Sequence, residues 1–157
     1  TPEFVSKPTH WCYAYTTQAA IVAVDPESGE VSVLRVLAAV DVGKIINKAA
    51  IEGQIHGGVM MGIGMALSEQ FIVEQGINTT DSLHKVRLPT ADMTPEVIPL
   101  IVEVPHPLGP QGAKGFAEAP SLATAPAILN AIYDAIGVRI HDVPADKKRV
   151  KDALLNL

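Results

Sequence analysis

The sequence predicts an α+β domain built from an N-terminal β-hairpin, a glycine-rich helix, further short strands and two C-terminal helices. Three observations carry this. Two apolar, β-branched runs flank a turn near the start. A stretch of about twenty residues repeats its large apolar side chains every four positions. Strands and helices do not alternate as regular β-α-β units.

The first strand is expected over Thr16 to Val24 and the second over Val31 to Val40, joined by Asp25-Pro26-Glu27-Ser28-Gly29-Glu30. Asp, Pro, Ser and Gly at such a junction spell a turn. The helix is expected over Ile51 to Gln70, where Ile55, Val59, Ile63 and Leu67 form the repeat, with Phe71 just beyond. It contains Gly53, Gly57, Gly58, Gly62 and Gly64, each of which weakens an isolated helix by roughly 1 kcal/mol. Such a helix is sensible where a backbone or cofactor packs very close to it.

Gly76 to Pro95 is expected to be an irregular connection. Glu96 to Val104 is a strand candidate that Pro99 confines to a sheet edge or a bulge. Pro105 to Gly115, with three prolines and three glycines, is a loop. Ala119 to Ile136 is helical, with Leu122, Leu129, Ile132, Tyr133 and Ile136 as its buried stripe. Pro126 kinks it or marks a fresh start capped by Thr124, and Gly137 ends it. A short extended piece at Val138 to Ile140 precedes a last amphipathic helix over Ala145 to Leu157.

Composition narrows the function. The 157 residues, taken as one domain, are 48% apolar and 18% charged, which suits a packed core and not a disordered or collagenous chain. Acidic residues outnumber basic ones 17 to 12, which disfavours a nucleic acid or an anionic membrane as partner. The longest apolar run, around Gly57 to Leu67, is too short to span a bilayer. Cys12 is the only cysteine, so this chain holds no internal disulfide and no cysteine-bound cluster, and a reducing, cytoplasmic setting is expected. The chain opens on Thr1 and shows no signal-peptide pattern, so a processed chain or a piece of a longer one is expected.

Several motifs dissolve on inspection. Gly58 to Gly64 has the wrong spacing for a dinucleotide loop and lies inside the helix. Gly109 to Gly115 lacks the Gly-Lys-Ser/Thr ending of a phosphate loop. His10, His56, His84, His106 and His141 show no helical metal-site spacing, and no nucleophile elbow is present. Two stretches remain, GQIHGG at 53–58 and GAKGFAE at 112–118. The second places Glu118 between a glycine-rich loop and a helix. Loop N–H groups bind anionic or carbonyl groups of a ligand, and a carboxylate shielded from water accepts a proton near neutral pH. Composition alone favours a plainer reading, a surface loop with Glu118 placed for the helix dipole.

Order changes the balance. DVG at 41–43 with Asn47, GQIHGG at 53–58, GIG at 62–64, GAKGFAE at 112–118 and AILNAIYDAIGVRI at 127–140 follow one another. Together they resemble the C-terminal end of the molybdopterin-binding subunit of the xanthine dehydrogenase and aldehyde oxidase family of molybdenum hydroxylases. The resemblance covers nearly the whole chain from about Tyr15. It implies a molybdenum–molybdopterin cofactor held by hydrogen bonds, with no protein side chain on the metal. Glu118 matches the family's general base in hydroxylation of an electron-poor carbon of a heterocycle or aldehyde with water-derived oxygen. Gly53 and Gln54, and Gly112, Ala113, Lys114 and Gly115, match the segments beside the cofactor. Iron–sulfur clusters and FAD are implied on other domains or subunits, beside the remaining molybdopterin-binding segment. Ala117 stands where many relatives have glycine, and Lys48 where proline is frequent. The family's subunit is several times longer, so this chain alone is not expected to turn over substrate. The rival reading is a non-catalytic module of the same fold that packs against partner subunits.

Overall fold

In a computed structural model, residues 12–156 are described. His10 and the end of the last expected helix at Leu157 lie outside them. β1 (Thr16–Val24) and β2 (Val31–Asp41) form the expected antiparallel hairpin. The Asp25 carboxylate ties the turn by accepting the Glu27 N–H at 2.9 Å and the Ser28 hydroxyl at 2.7 Å. A bulge between Ile21 and Val22 leaves Leu34 as the extra residue of β2.

α1 (Lys48–Leu67) starts three residues before the expected Ile51, because the Asn47 side chain caps it by accepting the Ala50 N–H at 3.1 Å. It ends at Leu67, before the expected Gln70, where Ser68 leaves the helical region. The irregular connection holds a minimal hairpin, β3 (Val73–Glu74) with β4 (Ile77–Asn78), and a single turn, α2 (Leu83–Val86). β5 (Glu96–Val102) is an edge strand, which accommodates Pro99.

β5 pairs with β2 in parallel, in the order β1-β2-β5, with Val36 opposite Val97 and Asp41 opposite Val102. The α+β class stands, but the chain does make one parallel crossover, carried by α1. Lack of regular alternation gives no warning of it, because 54 residues, including a second small hairpin after α1, separate the strands' ends, Asp41 and Glu96.

The expected C-terminal helix is broken at Ala123 into α3 (Ala119–Leu122) and α4 (Thr124–Ile136). Thr124 is not its cap. It is fully buried, with its hydroxyl 2.6 Å from Gln18 Oε1 and 3.0 Å from the Pro120 carbonyl oxygen. Its methyl-bearing side chain lies against Gly62 of α1. The break also rotates the apolar stripe. Ile128 and Ile132 are fully buried while Leu122 is 70% and Tyr133 43% exposed. Gly137, at φ +73°, ends α4 as expected, and Val138 to Ile140 joins no strand. α5 (Lys147–Leu155) is capped by Asp146, which accepts the Arg149 N–H at 2.9 Å.

The core lies between one sheet face and the helices. Val36, Ala38 and Val40 of β2 meet Ile55, Val59 and Ile63 of α1, Ile128 and Ile132 of α4, and Val150 of α5. The opposite sheet face carries the register rows Thr17-Ala39-Leu100 and Ala19-Leu37-Ile98, edged by the Arg35–Glu96 ion pair.

Gly58 and Gly62 set the distance between α1 and the α3–α4 junction. A Cβ on Gly58 would sit 2.7 Å from Pro120 Cβ, and one on Gly62 would overlap the Thr124 side chain. A Cβ on Gly57 would meet nothing within 4 Å. Gly62→Ala is therefore expected to destabilise the chain by about 1–3 kcal/mol through overpacking. Gly57→Ala is expected to stabilise it by up to about 1 kcal/mol through helix propensity. Urea unfolding of the two variants side by side checks both signs.

Candidate functional site

The site begins where β2 ends. Asp41 is turned away from solvent, and its Oδ1 accepts the Gly43 N–H at 2.9 Å. Its Oδ2 pairs with the Lys114 ammonium, and the two side chains are 8% and 6% exposed. The Tyr15 ring lies beside this cation, 5.7 Å from ammonium to ring centre. Burial pushes the Asp41 carboxyl up, but Lys114 and the Gly43 N–H outweigh it and hold the carboxyl below the usual aspartate value.

The main chain follows the same junction. Gly43 and Ala113 form an isolated antiparallel bridge. Lys114 N–H donates to the Val42 carbonyl at 3.0 Å, and Lys44 N–H donates to the Gly112 carbonyl at 2.9 Å. Gly43 has φ +70°, and a Cβ there would lie 2.8 Å from Lys114 N. This position needs glycine both for its backbone region and for the close approach of the second strand.

Past the bridge the chain emerges. Gly115 is exposed with nothing within 4 Å of a built Cβ, Phe116 packs partly on the core, and Glu118 is exposed. The Glu118 carboxylate makes no hydrogen bond or ion pair among the described residues. Its carbonyl accepts the Ser121 N–H at 3.0 Å and the Ser121 hydroxyl at 2.9 Å. Pro120, two residues on, rests against Gly58, one helical turn from Gln54. The two motif stretches thus meet through their neighbours.

Gly53, Gln54, His56 and Gly57 lie on the exposed face of α1. Gly53 and Gly57 have nothing within 4 Å of a built Cβ. Three open glycines, Gly53, Gly57 and Gly115, leave room for the close approach of a flat organic group, and the Gln54 amide offers it a donor and an acceptor. The residues present therefore fit a hydrogen-bonded pterin cofactor. The expected site residues divide by what they present. Gly53, Gln54, Gly115 and Glu118 face outward. Gly112 and Ala113 are held in the clamp by their main chains. Lys114 has its ammonium turned inward, so only its main chain is presented.

A cavity of about 630 Å³ lies elsewhere, between the hairpin tip, the end of α1 and the start of α5, lined by Glu30, Ile63, Ser68, Arg87, Asp92 and Lys147 among others. It contains none of Gly53, Gln54, Gly112 to Gly115 or Glu118. Glu69, beside its Ser68 wall, has its carboxyl pushed up by burial. Of the histidines, His56, His84 and His141 are exposed, and the half-buried His106 accepts the Leu108 N–H through Nδ1 at 3.2 Å. The Asp41–Lys114 pair is what residue types alone missed. The available signal was an acid and a base, each set among glycines.

The α+β architecture with its open glycine face suits a domain that a flat cofactor approaches closely. The family described as molybdopterin cofactor-binding domain matches residues 2–95. The chain belongs to this family, within the large subunits of the xanthine dehydrogenase and aldehyde oxidoreductase type. It is 38% identical over 143 residues to an aldehyde oxidoreductase of Megalodesulfovibrio gigas, covering 90% of this chain and 15% of that protein. It is 38% identical over 136 residues to the nicotine 6-hydroxylase large subunit of Paenarthrobacter nicotinovorans, covering 84% and 17%. The crystal structure of the aldehyde oxidoreductase from Desulfovibrio desulfuricans superposes with a TM-score of 0.84 at 36% identity, covering 90% of this chain and 16% of that one. The chain thus spans about a sixth of the length of such relatives.

A carboxyl held below its unfolded value contributes stability that is complete above that value and lost as pH falls through the folded one. For Asp41 the loss is expected to begin near the ordinary aspartate value of 3.8 and continue below it. Asp41→Asn is expected to start less stable, because Lys114 is left unpaired, and to lose less stability across that acid window. Urea unfolding at descending pH measures both slopes.

Proposed function

We propose that this chain is the C-terminal portion of the molybdopterin-binding subunit of a molybdenum hydroxylase, and that Glu118 is its general base. The single observation that carries this is the meeting of the motifs. GAKGFAE is clamped to the end of β2, and its exit rests on α1 one turn from Gln54. Gly53, Gln54 and the Gly115 main chain hold the cofactor, while Gly112, Ala113 and Lys114, whose N–H groups are bonded to Gly109, Pro110 and Val42, set the loop beside it. When bound, that group supplies oxygen transfer to carbon and takes up the substrate's electrons.

Glu118 takes up the proton released as water-derived oxygen is delivered to an electron-poor carbon of a heterocycle or aldehyde. Its carboxylate is exposed and without a partner among the described residues, so it is open to a ligand on this face. The loop's main chain positions it, and Pro120 and Thr124 anchor the helix behind it. No protein nucleophile is required, because the cofactor directs the oxygen.

Turnover belongs to a larger assembly. The far sheet face is apolar in its two central register rows apart from Thr17, and Ile21 and Leu100 upon it are 47% and 46% exposed. From Gly57 to its end α1 has no polar side chain, and Met61 and Met65 are exposed. Such surfaces suit the remaining molybdopterin-binding segment of the subunit. Iron–sulfur and FAD domains or subunits complete the electron path. Among the described residues no helix is long and apolar enough to cross a membrane. The lone cysteine supports a cytoplasmic setting.

In the assembled enzyme, Glu118→Gln is expected to lower kcat by about 10²–10⁴-fold with molybdenum still bound, as loss of a general base does. Near-normal turnover would overturn the assignment of the base. Gly53→Ala is expected to leave the fold intact and lower molybdenum and pterin content, which elemental analysis and pterin fluorescence read directly. Unchanged content would remove Gly53 from the cofactor face.

A further inference from the structure

We propose that Asp41 and Lys114 form a positioning latch that sets where Glu118 stands, a role that rests on the reading of Glu118 as base. The pair joins residues 73 positions apart, and both side chains are more than nine-tenths buried. Buried pairs of this kind give little net stability against an apolar replacement, so stability alone is a weak reason for one to be here. Geometry supplies a better one.

Glu118 lies on a short tether. On one side, Lys114 is fixed through its side chain to Asp41 and through its N–H to the Val42 carbonyl. On the other, the Glu118 carbonyl accepts from Ser121, and Pro120 and Thr124 are seated on Gly58 and Gly62 and held by Gln18. Only Gly115, Phe116 and Ala117 lie between the two anchors. The helical anchor is a packed contact of several side chains. The other anchor is a main-chain bridge at Gly43 and Ala113 whose one long side chain is that of Lys114, because Gly112 and Gly115 have none and Ala113 has only a methyl group; between the anchors, Phe116 packs partly on the core. Turning Lys114 inward also leaves the exposed main chain at Gly115 facing out. Asp41 has a second tie, to the Gly43 N–H, which fixes the turn leading to Asn47 and α1. The latch therefore relates the base and the Gln54 helix to one point at the end of β2.

The test uses the complete enzyme with its cofactor and three variants, Asp41→Asn, Lys114→Met and the two combined. Each single change strands a buried charge and is expected to lower thermal stability; the double strands none and is expected to regain much of it. Turnover should not follow stability. In all three, kcat per molybdenum is expected to fall about 10- to 100-fold, the scale of a misplaced catalytic group, with KM within about twofold. The Lys44 and Lys114 amides are expected to exchange with solvent at least about tenfold faster, as a loosened bridge opens locally. A double variant with wild-type kcat would overturn the latch and leave the pair a purely structural contact. Should the single variants not fold, the double decides alone. Amide exchange is independent of what Glu118 does. If Glu118→Gln turns over normally while the latch variants loosen the bridge, the reading of the base fails and not the mechanical coupling of the loop.

Discussion

The closeness of α1 to the α3–α4 junction is the constraint on which the site depends. At Gly58 and Gly62 the two segments lie nearer than any side chain on the helix would allow. That contact buries Pro120 and Thr124, breaks the last long helix at Ala123, and sets the exit of the GAKGFAE loop against the helix that carries Gln54. Helix propensity is given up locally, and tertiary packing outweighs it, as it does for most helices in folded chains. Glycine serves two ends along one helix. Gly58 and Gly62 admit this chain's own backbone, while Gly53 and Gly57 remain open.

The second fixed point is the end of β2. Asp41 and Gly43 hold the returning loop through an ion pair, a main-chain bridge and a close backbone approach at a left-handed residue. Between the two fixed points runs the segment with Glu118. This arrangement is precise without being enclosed. A cavity of about 630 Å³ lies at the opposite end of the sheet, where the hairpin tip and α5 form its walls. The motif face is open among the described residues. Apolar side chains fill most of the two central register rows on the far sheet face, and Met61 and Met65 of α1 are exposed. A sheet with water on one side normally alternates apolar with polar residues, and these rows do not.

What could be read from residues was what local chemistry decides. The Asp25 turn, the period-four helix, the Pro99 edge strand and the Gly137 stop each depend on neighbours in sequence. The parallel pairing of β2 with β5 depends on partners far apart, and no periodicity encodes it. Thr124 looked like a cap because threonine often is one, but Gln18 of a distant strand claimed its hydroxyl. Leu122 and Tyr133 looked buried because a straight helix would bury them; the break at Ala123 turns them out. The candidate site was legible as an ordered set of motifs. The inward turn of Lys114 was not, because it required knowing that Asp41 stands opposite.

The most direct test of the central claim, that this chain is a working part of a molybdenum hydroxylase, is made on the protein isolated natively from its source. Molybdenum and pterin are quantified together with the masses of the chains that accompany them. The account predicts one molybdenum and one pterin per copy of this sequence, in a longer subunit or with larger partner chains. A folded, metal-free species of 16.6 kDa with no pterin and no partner would contradict it and make Glu118 a residue of a purely structural module.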